Sequence, residues 1–118
     1  MGEAERIEAL TRLVQDGSID DERFARRYAE DKRELAGWGP DRIREALAAR
    51  GTPSDLIEAA LAAESEEDVV TRASAVLASS GAEVGDERGR QRALAQLARY
   101  GFPLEAAYDA VRTLERNG

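Results

Sequence analysis

Apolar residues recur along this chain at spacings of three and four, the pattern of helices with one buried stripe, and the breaks between stripes carry Gly, Pro, Ser and Asp. Ile7, Leu10, Leu13 and Val14 predict a first helix over residues 3–16, ended by Gly17. Ser18 with Asp21 three residues on reads as a capping box, and Asp20, Asp21 and Glu22 put negative charge where a helix N-terminus favours it. The second helix is therefore expected over residues 20–36. Phe24, Tyr28 and Leu35, with Ala25, Ala29 and Ala36 beside them, fall on its apolar face, so both rings are expected in the core. Phe102 and Tyr108 carry the same expectation.

Gly37 can stop that helix, and Pro40, with its preset φ and missing N–H, suits the first position of a third one carrying Ile43, Ala46 and Leu47 up to Gly51. Thr52, Pro53 and Asp55 then read as a cap, a first-turn proline and a box partner for a helix bearing Leu56, Ile57, Ala60 and Leu61. A further box, Ser65 with Asp68, opens a helix with Val69, Val70, Ala73, Val76 and Leu77 that ends near Gly81. The stretch SGAEVGDERGR is expected to be a flexible connector. Its Gly81, Gly85 and Gly89 lack the Gly-Lys-Ser/Thr ending of a phosphate-cradling loop, which argues against a nucleotide site.

Slid against itself by 50 positions, the chain aligns DRIREALAARGTPSDLIEAAL with QRALAQLARYGFPLEAAYDAV. Arg42 meets Arg92, Leu47 meets Leu97, Gly51 meets Gly101, Pro53 meets Pro103 and Ala60 meets Ala110. One Gly-x-Pro turn is a weak signal, but the same turn inside the same apolar spacing twice indicates a repeated unit. The expected fold is all-α: three-helix repeats at residues 18–64 and 65–118, preceded at residues 1–17 by the last helix of an incomplete repeat. About seven helices would then form an elongated, curved array in which each unit buries its stripe against a neighbour.

Composition narrows the function classes. Of 118 residues, 42% are hydrophobic and only 5% aromatic, so the core is thin and aliphatic. The absence of Cys and His removes disulfides, thiolate chemistry, the usual zinc ligands and imidazole acid–base catalysis. No apolar run approaches the roughly 20 residues a spanning helix needs and no signal-peptide pattern stands at the front, so a cytoplasmic protein without a membrane partner is expected. The net charge of −7 is uneven: −2 over residues 1–19, 0 over 20–50, −6 over 51–85 and +1 over 86–118. A protein that relies on phosphate contacts usually carries basic excess. This chain lacks it overall.

The strings IDDERFARRY (19–28) and GWGPDRIREAL (37–47), the latter followed by Arg-Gly and a Pro-started helix, with a weaker second copy closing near Leu114, resemble the bacterial RecX family. The resemblance implies tandem three-helix repeats that dock along the groove of the RecA filament on DNA. It further implies inhibition of ATP hydrolysis, strand exchange and coprotease activity, and a place in recombination, DNA repair and the SOS response. It implies no catalysis and no cofactor, a monomer, and DNA met through the filament. Against the family pattern, the chain is expected to hold only the last helix of a first repeat, and its balance is acidic. The opposing readings are a helix-turn-helix DNA binder using the helix at 40–50 for recognition, and a general helical adaptor.

Candidate partner-binding residues are Arg26, Arg27, Lys32, Arg33, Trp38, Arg42, Arg44 and Arg50. Each cation can instead pair with Glu22, Glu30, Glu34 or Glu45 at helical spacing, whereas the arginine fork also suits a carboxylate or phosphate on a partner. Arg42 and Arg44 are expected to share one face. Trp38, in a turn between glycines, suits packing and partner contact equally. The acidic belt of Asp55, Glu58, Glu64, Glu66, Glu67 and Asp68 has no calcium-loop spacing, and no metal ligands are assigned; the belt can face the basic lining of a DNA-binding groove as a decoy for phosphate.

Overall fold

The structure, a computed structural model, describes residues 18–117. The helix expected over residues 3–16, and with it the partial repeat at 1–17, lies outside the described residues. Six helices and no strand are present among those described: α1 Ser18–Leu35, α2 Pro40–Ala49, α3 Ser54–Ala62, α4 Glu66–Ser80, α5 Glu87–Tyr100 and α6 Leu104–Asn117. They pack in threes. In the first three, α1 lies mainly against α3 with α2 alongside, and in the last three α4 lies against α6 with α5 alongside. The molecule measures 55 × 27 × 20 Å, and its radius of gyration of 17.3 Å exceeds the roughly 13 Å of a compact 100-residue domain.

Burial follows the repeat. Ile43 and Ala93, Leu47 and Leu97, Leu56 and Ala106, Ile57 and Ala107, Ala60 and Ala110, and Leu61 and Val111 are pairs of equivalent positions, and every member is buried. The turns match as well. Thr52 N–H donates to the Leu47 carbonyl at 3.1 Å and Phe102 N–H to the Leu97 carbonyl at 3.0 Å, with Gly51 at φ +86° and Gly101 at φ +94°. This left-handed residue lets the next amide reach back to carbonyls that the helix end leaves open.

The helix ends are written locally. Pro40 stands in the first turn of α2, the Ser65 hydroxyl accepts from Asp68 N–H at 3.1 Å, and Gly81 closes α4 in the left-handed conformation. Three expectations change. Pro53 itself is the cap position of α3 and no side chain caps that helix, so the box from Thr52 to Asp55 does not form. Ser18 lies within α1, not ahead of it. The stretch at 80–90 is a packed connection: Val84 is buried in the second core, and the Asp86 carboxylate caps α5 by accepting from Gly89 N–H at 2.7 Å.

The expected core of α1 also changes. Ala25 and Ala29 are fully buried, whereas Phe24 is 41% exposed and Leu35 84% exposed. Small side chains let α1 approach the other helices closely, and the rings beside them are displaced to the rim. Of the other two aromatics, Phe102 is buried as expected and Tyr108 is 39% exposed.

Between the two groups, turn meets turn. Gly39 N–H donates to the Tyr100 carbonyl at 2.7 Å, and Asp41 N–H donates to the Gly101 carbonyl at 2.9 Å. A Cβ on Gly39 would lie 2.5 Å from the Gly101 carbonyl, and one on Gly101 would lie 2.3 Å from Arg42 Cβ, so both glycines are needed for the backbones to come this near. A charged cluster closes the seam. Glu64 receives Arg72 from α4 and Arg33 from α1, the latter at 3.4 Å. Arg33 also donates to the Ala60 carbonyl at 2.8 Å, and Arg72 donates to the Trp38 carbonyl at 2.9 Å. Glu64 is largely shielded from water and has a cation on either side, the condition under which a buried carboxylate is tolerated.

Candidate functional site

The α1–α2 pair sets out a surface from two rows of side chains at four-residue spacing. Phe24, Tyr28 and Lys32 run along α1, and Arg42, Ala46 and Arg50 run back along α2, so the hairpin brings Lys32 near Arg42 and Phe24 near Arg50. Trp38 stands in the turn between them. The rings form a ladder, with Phe24 and Tyr28 centroids 5.6 Å apart and Tyr28 and Trp38 6.4 Å apart, the second pair edge to face.

Cations cover that ladder. Arg50 Cζ lies 4.8 Å from the Phe24 centroid and 5.5 Å from that of Tyr28. Lys32 Nζ lies 4.7 Å from Trp38 and 5.4 Å from Tyr28, and Arg42 Cζ lies 4.2 Å from Trp38. Each contact on an exposed ring is worth about 0.5–1 kcal/mol, enough to restrict a long side chain without burying its charge. The result is a row of pre-positioned cations on an aromatic base, suited to carboxylates or phosphates on a partner.

Arg42 also reaches the main chain of the second repeat. Arg42 Nη1 donates to the Arg99 carbonyl at 3.2 Å, and Arg99 shares a face of α5 with Arg92, seven residues earlier. Both are exposed. Arg92 and Arg99 were not among the candidates from sequence. The signal was in the repeat, where Arg92 is the counterpart of Arg42.

The eight sequence candidates therefore divide. Lys32, Trp38, Arg42 and Arg50 come together in the stripe. Arg26 is exposed and paired with Glu22 at 2.7 Å, and Arg27 is exposed with no ion pair among the described residues. Arg33 is drawn inward to Glu64 and the end of α3. Arg44 lies on the other side of α2 from Arg42, since two residues turn the helix by about 200°. There it forks onto Glu58 at 2.9 and 3.1 Å and meets Asp41 at 2.8 Å. The hydrogen bond to Glu58 raises the Arg44 pKa, and the same bond holds the Glu58 carboxyl below its ordinary value. The shared face expected for Arg42 and Arg44 does not exist.

No group of three or more His, Cys, Asp or Glu side chains converges to hold a metal ion among the described residues, and no described helix is long and apolar enough to cross a membrane. The arrangement sets exposed charge in a fixed pattern on a surface.

Comparison with known proteins agrees with the architecture. The family model for the second three-helix domain of RecX matches residues 20–61, the span of α1 to α3. The chain is 35% identical over 117 residues to the regulatory protein RecX of two Thermus thermophilus strains, covering 99% of this chain and 75% of theirs. It is 33% identical over 101 residues to the regulatory protein RecX of Geobacillus kaustophilus, covering 83% of this chain and 38% of that longer one. No solved structure gives a match. With the repeat, the fold and near full-length similarity in accord, this chain belongs to the RecX family of regulatory proteins.

Proposed function

We propose that the chain restrains a RecA-type recombinase by lying along the RecA–DNA filament, lowering its ATP hydrolysis, strand exchange and coprotease activity in cytoplasmic DNA recombination, repair and SOS signalling. The observation that carries this reading is the cation–aromatic stripe, which runs from Arg50 through Lys32 and Trp38 to Arg42, whose guanidinium reaches the main chain of the second repeat at the seam. A stripe that ends at the seam between two repeats of an elongated molecule suits a partner that is itself long and regularly charged. Bound across a filament, such a molecule hinders the subunit rearrangements that ATP turnover requires, without chemistry of its own. Residues 18–64 and 65–118 act in this reading as two repeats that engage the filament together.

The helix-turn-helix alternative loses support at α2. Recognition helices present their N-terminal residues to base edges, but the N-terminus of α2 is spent on the seam, where the amides of Gly39 and Asp41 donate to Tyr100 and Gly101. The net charge of −7 also opposes unaided duplex binding.

Inhibition of purified recombinase ATPase tests the proposal. The Arg42→Glu, Arg50→Glu double variant is expected to raise the concentration for half-inhibition by about ten-fold or more. Arg44→Glu, which alters the far side of the same helix, is expected to change it little. Equal loss from both variants, or tight binding to DNA with a steep salt dependence in the absence of recombinase, would sink the reading.

A further inference from the structure

We propose that the groove between the two repeats, on the side of α2 opposite the stripe, receives a lysine or arginine side chain presented by a protein partner. The groove has a volume of about 360 Å³ and is built from both repeats. Its floor is mostly apolar, made of Pro40 and Leu61 from one repeat and Val69, Val70, Pro103 and Ala106 from the other, with Glu64, already held by Arg33 and Arg72, as the one charged group beside them. Its rim is acidic. Glu58, Glu66, Glu105 and Asp109 surround the mouth, and Arg44 is the one cation in the lining.

An apolar floor under a carboxylate rim matches one kind of side chain: an aliphatic stem that lies on hydrocarbon and a cationic head that stays near water. A neutral apolar side chain would leave the rim unmatched, and an anionic one would be repelled by it. Nucleic acid is excluded on the same ground. The groove already holds one example of the arrangement, because Arg44 lies in its wall with its head between Glu58 and Asp41. That resident cation occupies Glu58, and Asp109 is paired with Arg112, which leaves Glu66 and Glu105 with no ion pair among the described residues. Both belong to the second repeat, Glu66 at the start of α4 and Glu105 at the start of α6.

The inference is independent of the filament reading, and its test needs no recombinase. An acetylated, amidated tetralysine peptide is titrated into isotopically labelled protein at low salt, and amide and methyl shifts are followed by NMR. Saturable shifts centred on Leu61, Val70 and Ala106 are expected. The Glu66→Gln, Glu105→Gln double variant should weaken binding about five-fold, the scale of two exposed ion pairs. A peptide of ornithine, with equal charge and a stem one carbon shorter, should also bind more weakly, since it reaches less far across the floor. Shifts spread over the acidic surface, or equal binding of the short-stem peptide, would mean charge screening alone and overturn the proposal. So would protein self-association that moves the groove resonances before any peptide is added, because the occupant would then be a second copy of this chain.

Discussion

The two repeats share a skeleton and differ in where they keep their aromatic rings. Equivalent positions of α2–α3 and α5–α6 are buried alike, and both hairpins close on a left-handed glycine with the same backward hydrogen bond. The first repeat nonetheless builds its core from Ala25, Ala29, Ile43, Leu47, Ile57, Ala60 and Leu61 and leaves Phe24, Tyr28 and Trp38 on its rim under Lys32, Arg42 and Arg50. The second takes Phe102 inside, 3% exposed, in a larger core with Val84 and Val111. Rings at the rim with cations over them form the surface proposed to meet a partner. A ring in the core makes an anchor. In that proposal the same module serves contact in one copy and support in the other.

The largest test of this division is at its most unequal pair, Phe102 and its counterpart Thr52. Phe102→Ala is expected to cost about 3–5 kcal/mol, the lost transfer energy of a buried ring plus the cavity it leaves. Thr52→Ala, at a half-exposed position, should stay within about 0.5 kcal/mol. Urea unfolding monitored by circular dichroism measures both. Equal costs would mean that the second repeat is not the anchor.

Next in size is the glycine pair. Gly51 and Gly101 have nearly the same φ, but a Cβ on Gly51 meets nothing within 4 Å, whereas one on Gly101 strikes Arg42. Gly51→Ala should therefore cost only the left-handed strain, about 1 kcal/mol. Gly101→Ala should cost about 3 kcal/mol, because strain and a backbone clash combine. Its loss should also loosen the seam, raising the radius of gyration measured by small-angle X-ray scattering. Glu64→Gln acts on the same seam from the side chains. It leaves Arg33 without its carboxylate in a poorly hydrated place, with an expected cost of about 2 kcal/mol, below that of a fully buried pair since Arg72 is partly exposed.

The sequence made the order of the six described helices and several of their ends legible because these are local. Pro40, Ser65 and Gly81 act through their own backbone and the next turn, and the apolar spacing of α3 placed Leu56, Ile57, Ala60 and Leu61 correctly. What it could not show depends on distances between helices. Periodicity placed Phe24 and Ala25 on one face, but which of the two lies at the centre depends on how closely the next helix approaches, and here the alanines won. Glu64 read as one more acid in a belt; only the fold brings Arg33 and Arg72 to it. Arg42 and Arg44 looked equivalent in composition, and a 200° turn of helix separates their roles. The packed connection at 80–90 was missed for a different reason: Asp86 is followed by two glycine-flanked charges that mimic a loop, although its carboxylate caps α5.

The smallest expected effect sharpens the comparison at the surface. Arg44 and Glu58 tie α2 to α3 in the first repeat, and their counterparts in the second are Leu94 and Tyr108, which offer no such ion pair. The Arg44 hydrogen bond holds Glu58 below its ordinary value of 4.5, so this group binds protons less readily folded than unfolded. Its contribution is fully present above that unfolded value and is lost as pH falls through the lower folded one. Because Glu58 is mostly exposed, the contribution is on the scale of surface pairs, about 0.2–1 kcal/mol. Melting temperatures of the native chain and of Glu58→Gln should thus differ slightly at pH 7, draw together as the pH falls below 4.5, and show no such convergence for Tyr108→Phe, since that position has no carboxylate to protonate. A gap between native chain and Glu58→Gln that persists undiminished at pH 3 would show that Glu58 supports the first repeat by packing, and the charged tie between α2 and α3 would no longer distinguish the two copies.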